Sequence, residues 1–200
     1  MRTTQADKEA VKASIIKKAI EIFSTKGFHS TNMQDIADEL GFSKGPIYYH
    51  FKNKYELYKT ITDYCINNEK SKLKKIFDTE DPIWVKINND LIFNKEQLNT
   101  SKLRYFINIA SDPQLASVKQ QYDDYAKWIY QLKLYSVNQA IENGEIKKDS
   151  DANIITYLIM TFFCGISQIV EEDMINIDES DIEIMTSKFV EGLKRTYENS

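Results

Sequence analysis

Proline and glycine are scarce in this 200-residue sequence, with three of the first and six of the second. Strand-rich folds need frequent turn residues, so the shortage argues against them and favours a few long helices. Histidine and cysteine are scarcer still, two of each. His29 and His50 lie 21 residues apart, and neither belongs to an HExxH motif. The residues three before them are Lys26 and Ile47, so no Glu-x-x-His pair forms and a zinc or carboxylate-bridged metal site lacks its ligands. Cys65 and Cys164 show no CxxC spacing and have no neighbouring histidine in sequence. They read as free thiols of a reducing cytoplasm. GxSxG, P-loop and GxGxxG patterns are missing too. The expectation is a cytoplasmic protein that is not an enzyme, with no catalytic residue, metal or cofactor. The start of the chain is polar through Lys12, which argues against a secretory signal.

One stretch, Asn153 to Val170, has no charge over 18 residues and meets the lower length limit for a membrane span. It contains Asn153, Thr156, Thr161, Ser167 and Gln168, and acidic residues bracket it. No tryptophan marks either end, and Lys147 and Lys148 are the only basic flank. A helix buried on most sides of a helical protein is expected here, and no membrane contact.

What is present is unevenly spread. Hydrophobic residues make up 42% of the chain and aromatics 12%, ample for a core. The net charge is −4. Residues 1–54 hold nine Lys/Arg against six Asp/Glu, a net +3, and the remainder holds 17 against 24, a net −7. A basic head on an acidic body fits a protein that offers one end to a polyanion.

The apolar spacing predicts helices throughout. The first spans about 7–26 with Val11, Ile15, Ala19, Ile22 and Phe23 on one stripe, and Gly27 stops it. Thr31 and Gln34 have capping-box spacing for a second helix, which carries Met33, Ile36, Ala37 and Leu40 and ends at Gly41. Ser43 is the candidate cap of a short third helix through about Phe51. Asn53 is the candidate cap of a fourth, from Lys54 to about Phe77. Further helices are expected near 82–98, 101–111, 113–142, 151–173 and 180–198, making about nine.

Residues 31–54 are the informative part. Two short helices around a tight turn at Gly41-Phe42-Ser43 have the spacing of a helix-turn-helix. Ile36, Ala37, Leu40, Ile47 and Phe51 would hold the pair together, with Lys44, Gly45, Tyr48, Tyr49 and His50 facing outward. Donors and flat rings of this kind suit base edges, thymine methyls and phosphates.

The run Thr31-x3-Asp35-Ile36-Ala37-x2-Leu40-Gly41-Phe42-Ser43-Lys44-Gly45-x-Ile47-Tyr48-Tyr49-His50-Phe51-x2-Lys54-x2-Leu57 resembles the signature of TetR-family (tetracycline-repressor-like) regulators. Upstream, Ala19-x3-Phe23-x3-Gly27-Phe28 completes the family's first helix, and the resemblance covers about residues 10–60. It implies an all-α protein with a three-helix DNA-binding head at 1–53 and a helical effector-binding and dimerisation domain at 54–200. It also implies DNA contacts at Thr31, Gln34, Ser43, Lys44, Gly45, Pro46, Tyr48, Tyr49 and Lys54, with Thr31, Tyr49 and Lys54 on phosphates. Pro46 departs from the residue types common at its position, and it removes a donor from the start of the recognition helix.

In the body, an effector pocket is expected among Trp84, Phe93, Phe106, Tyr122, Tyr125, Trp128, Phe162 and Phe163, because small-molecule cavities are mostly apolar. A homodimer interface is expected on the last two helices, at Tyr157, Thr161, Cys164, Gly165, Gln168, Met185, Phe189 and Leu193. Two half-sites would compensate for one short recognition helix. The expected partners are therefore a palindromic duplex, a small-molecule effector and a second copy of the chain. The alternative is a small-molecule binding or interaction module without specific DNA binding, and repression and activation are not distinguished.

Overall fold

In the computed structural model residues 4–100, 113–171 and 177–199 are described. They form α1 (Gln5–Ser30), α2 (Met33–Glu39), α3 (Lys44–His50), α4 (Lys54–Phe77), α5 (Ile83–Thr100), a 3-10 turn (Pro113–Leu115), α6 (Ala116–Glu142), α7 (Ala152–Glu171) and α8 (Glu179–Tyr197). The all-α architecture is the one expected from composition. The helix expected at 101–111, with Phe106, lies outside the described residues.

The chain divides into two compact units, Met1–Glu69 with Lys102–Asp124, and Lys70–Ser101 with Tyr125–Ser200. The first unit is built on α1–α3 and the start of α4. Ile15, Ala19, Phe23, Ile36, Ala37, Ile47, Phe51, Leu57, Tyr58 and Ile61 share one core with Leu115 and Val118. Tyr58 meets Phe23 edge-on at 4.9 Å and Phe28 at 4.8 Å, so three rings key α4 to α1. Burial pushes the Tyr58 phenol well above its ordinary range.

The expected glycine stop is present: Gly27 has φ 76°, and the backbone leaves the helical region there. The cap of α2 differs from expectation by one residue. Asn32, and not Thr31, is the N-cap; its Oδ1 accepts from the N–H groups of Gln34 and Asp35 at 2.8 and 3.0 Å. Asp35 accepts from the Asn32 N–H at 3.0 Å to close the box. Thr31 is 1% exposed, and its hydroxyl donates to the Gly27 carbonyl at 2.8 Å. Turning Met33, Ile36 and Ala37 into the core sets the register and leaves Thr31 inside.

In the second unit, one core joins Ile83, Trp84, Ile87 and Leu91 of α5 to Val137, Ala140, Ile146, Ile155, Ile159 and Leu193. Between α5 and α6 the Lys133 ammonium lies 2.6 Å from an Asp90 carboxylate oxygen, and both side chains are almost wholly buried. The α7 helix corrects a second expectation. It is long and apolar enough to cross a membrane, yet only 22% of the Ala152–Val170 window is buried, so it is not enclosed on most sides. Ile155, Ile159 and Ile166 face the core, while Ile154, Tyr157 and Leu158 are exposed.

Candidate nucleic-acid interface

The α2–α3 turn is built by backbone hydrogen bonds. Gly41 has φ 65°, a left-handed conformation that glycine adopts without steric cost. Phe42 N–H then donates to the Ala37 carbonyl at 2.9 Å and Gly41 N–H to Asp38 at 3.1 Å. This is the Schellman closure of α2, and it leads the chain directly into α3. Ile47 is the one fully buried residue of α3 and, with Phe51, holds the helix on α1 and α2.

The opposite face of α3 is open. Lys44 and Gly45 are exposed, Tyr48 is 49% exposed and Tyr49 65%. Large aromatic rings in solvent on a helix fixed by a dry core leave flat apolar surface and phenol groups available to a partner. Ser43 departs from expectation: it occupies the N-cap with extended backbone but makes no side-chain capping bond. Pro46 supplies no N–H at the third helical position, where a serine cap usually finds its donor. Ser43 is consequently exposed at the front of the helix with Lys44.

Lys54, expected on a phosphate, is engaged within its own chain. Its Nζ donates to the carbonyls of Phe28 at 2.7 Å and Thr31 at 2.8 Å, and lies 4.3 Å from the Phe28 ring centroid. Burial lowers its pKa despite the counter-effect of nearby Asp35. The ammonium joins two backbone carbonyls at the end of α1, a long-range role invisible in the sequence. Lys54→Met is expected to lower the stability of the first unit by about 1.5–3 kcal/mol, the range for bonds to a charged group. Thermal melting monitored by circular dichroism checks this, and an unchanged melting temperature would refute it. Gln34 is engaged too, its amide donating to Asp38 one turn on.

The family model described as bacterial regulatory proteins, tetR family, matches residues 15–61, which span most of α1, all of α2 and α3 and the start of α4. Over those residues the chain is similar to the tetR family. A helix-turn-helix regulator of Bacillus subtilis strain 168, YerO, itself uncharacterized, is 45% identical over 65 residues, covering 32% of this chain and 22% of that protein. The negative transcriptional regulator IcaR of the biofilm operon of Staphylococcus epidermidis is 39% identical over 57 residues, 28% of this chain and 31% of that one. The aligned part of the chain thus spans less than a third of either relative. A TetR transcriptional regulator from Chloroflexus aurantiacus has the same fold over 98% of this chain and 100% of its own, with a TM-score of 0.83 and 15% identity.

The aromatic residues expected to line one pocket of the body are distributed among several clusters. Trp84 packs in the main core of the second unit with Phe162 and Phe163 against it. Phe93, Tyr125 and Trp128 belong to a separate cluster around Leu73 and Phe77. Tyr122 packs against the core of the first unit, where burial pushes its phenol far above the ordinary range. A groove of about 220 Å³ between α5 and α8 is lined by Asn88, Ile92, Lys95, Glu183, Thr186 and Ser187, none of them among those aromatics.

Of the residues expected at a dimer interface, Tyr157, Thr161, Cys164, Gly165 and Gln168 are exposed along α7. Met185 is half-buried on a small cluster with Ile166 and Ile182. Phe189 stacks on Phe162 with ring centroids 4.1 Å apart, and Leu193 is 6% exposed. These last two complete the core of their own chain.

Proposed function

We propose that this chain is a DNA-binding transcriptional regulator, a repressor that binds a palindromic operator as a homodimer and is released by a small-molecule effector. The observation that carries the reading is the α3 face. Lys44, Gly45, Tyr48 and Tyr49 stand in solvent on a helix whose other side is seated by Ile47 in a dry core. Such a helix enters the major groove with its N-terminal residues towards base edges. In this reading Ser43, Lys44, Gly45, Pro46 and Tyr48 meet the groove, and Tyr49, Gln34 and the start of α2 lie near phosphates. Residues 1–53 bind DNA and 54–200 serve effector binding and dimerisation.

Repression is favoured by the family and by a relative named as a negative regulator. For the effector, the buried indole N–H of Trp84 has no hydrogen-bond partner among the described residues, and buried donors are usually paired. Trp84 is therefore the first residue to probe for a ligand. Effector binding would act through α4, whose residues are shared between the two compact units, by favouring a spacing of the recognition helices that DNA cannot accept.

The exposed stripe of α7 is uncharged, with Ile154, Tyr157 and Leu158 at its apolar part, and a second copy of the chain is its occupant in this reading. A cytoplasmic dimer covers it without a bilayer. Leu158→Asp is expected to convert the dimer into a 23.3 kDa monomer in sedimentation velocity and to weaken operator binding by at least about 100-fold. A variant that remains dimeric would place the interface elsewhere.

The direct test is a gel shift with the DNA upstream of the chain's own gene. A salt-sensitive shift that depends on a palindrome is expected at submicromolar protein. Without any such shift up to micromolar protein, the second reading, a small-molecule binding module, takes its place.

A further inference from the structure

We propose that Lys8, near the start of α1, is an additional phosphate contact of the DNA-binding head and acts together with Tyr49 of α3. The assignment rests on the reading of the head as a DNA binder. Lys8 lies outside residues 15–61, the part matched by the family model. Its Nζ stands 5.3 Å from the centroid of the Tyr49 ring. That ring is 65% exposed and meets His50 edge-on at 4.9 Å.

The geometry decides what the pair can touch. Tyr49 is the sixth residue of α3, roughly 7.5 Å along the axis from Lys44 at its first. Since the N-terminal residues of a recognition helix face base edges, a group near the C-terminal end faces the phosphates at the lip of the groove. A phenol there supplies one neutral donor. The ammonium held over it adds a full positive charge at the same place, in a contact that exposed cation–π pairs favour by about 0.5–1 kcal/mol.

Lys8 is carried on an ordered turn. Thr4 Oγ1 accepts from the Asp7 N–H at 3.2 Å, and Asp7 accepts from the Thr4 N–H at 2.8 Å and from its hydroxyl at 2.7 Å. The neighbouring carboxylate is thereby engaged in the cap. Two other lysines of the head are committed elsewhere: Lys54 to backbone carbonyls and Lys18 to Glu21 at 2.8 Å. Lys44 and Lys8 thus bring positive charge to the two ends of the recognition helix.

The test uses the full chain and an operator recovered with it from a randomised duplex pool. Affinities of the parent, Lys8→Gln, Tyr49→Ala and the double variant are measured between 50 and 200 mM salt. Lys8→Gln is expected to flatten the log–log salt slope by about 1 per half-site and to weaken binding about tenfold per half-site, with base preference unchanged. In the Tyr49→Ala background most of that effect should vanish, because the two residues act on one phosphate. Lys188→Gln, which removes the same charge from exposed α8, is expected to keep the parental slope. Melting curves of all variants should coincide with the parent's within a few degrees.

A Lys8→Gln slope equal to the parent's would overturn the assignment. So would an equal fall in Lys188→Gln, which would trace the effect to net charge alone. If the parent recovers no specific duplex, the reading of the head as a DNA binder fails first and this contact fails with it.

Discussion

Lys133→Met is expected to lower the unfolding free energy of the second unit by about 3–5 kcal/mol, the usual cost of breaking a buried ion pair. Lys133 reaches Asp90 at 2.6 Å, and the exposures of the two side chains are 5% and 0%. The other Asp90 carboxylate oxygen accepts from the Asn94 amide at 3.0 Å. Removing the ammonium leaves a buried carboxylate whose side-chain donor among the described residues is the neutral Asn94 amide. Desolvation that the pair offsets together then falls on one partner. At roughly 2–4 °C per kcal/mol for a chain of this size, the melting temperature should fall by about 6–20 °C. Urea unfolding at fixed protein concentration is the cleaner measurement, because the proposed dimerisation would make apparent stability concentration-dependent. Asp90→Asn combined with Lys133→Met removes both charges and should recover at least half of the loss. A single variant within 1 kcal/mol of the parent would mean that water reaches the pair.

Gly45→Val should separate folding from DNA binding. The backbone of Gly45 is not in the left-handed region, and a Cβ built there meets only the Ser43 hydroxyl at 3.8 Å, an ordinary contact. The fold therefore gives no reason for glycine at this exposed helical position, where glycine itself costs about 0.5–1 kcal/mol relative to alanine. Close approach of a partner to the front of α3 does give one. Gly45→Ala and Gly45→Val should fold with unchanged or slightly higher melting temperatures. Operator affinity should fall about tenfold for alanine and at least about 100-fold for valine, the latter near 2.7 kcal/mol. Fluorescence anisotropy at one fixed salt concentration measures this. Valine binding within about threefold of the parent would move the DNA away from the start of α3 and remove the main support for the proposed interface.

The head was legible because its determinants are local. Gly27 and Gly41 mark the ends of helices by conformations that most residues avoid, and both have positive φ. Ile36, Ala37, Ile47 and Phe51 have the spacing of an inward face, and each is buried. Capping was harder. Thr31 and Asn32 are adjacent and both are good cap residues, so the choice depends on which one the core excludes. Lys54 shows the same limit at longer range, since its carbonyl partners lie 23 and 26 residues upstream.

In the body, spacing identified helices but not their partners. Trp84, Phe93, Tyr122, Trp128 and Phe162 all sit on amphipathic faces, and nothing local tells which faces meet. The structure sorts them into different clusters, and the ion pair joins residues 43 positions apart. For α7, the run from Asn153 to Val170 announced a helix without charge. Whether its own chain would surround it is a question of tertiary packing, and the answer is that one face stays outside.

The sequence by itself thus determined the helices, the turn between α2 and α3 and, of the expected outward set, Lys44, Gly45, Tyr48 and Tyr49, with His50 half-buried, since periodicity, caps and backbone preference act within a few residues. Only the tertiary structure decided that Lys54 faces backbone carbonyls, that Lys8 stands over Tyr49 and that α7 keeps an open apolar stripe. Each of these depends on groups brought together across many residues, where side-chain chemistry states what an atom can bind but packing determines what it meets.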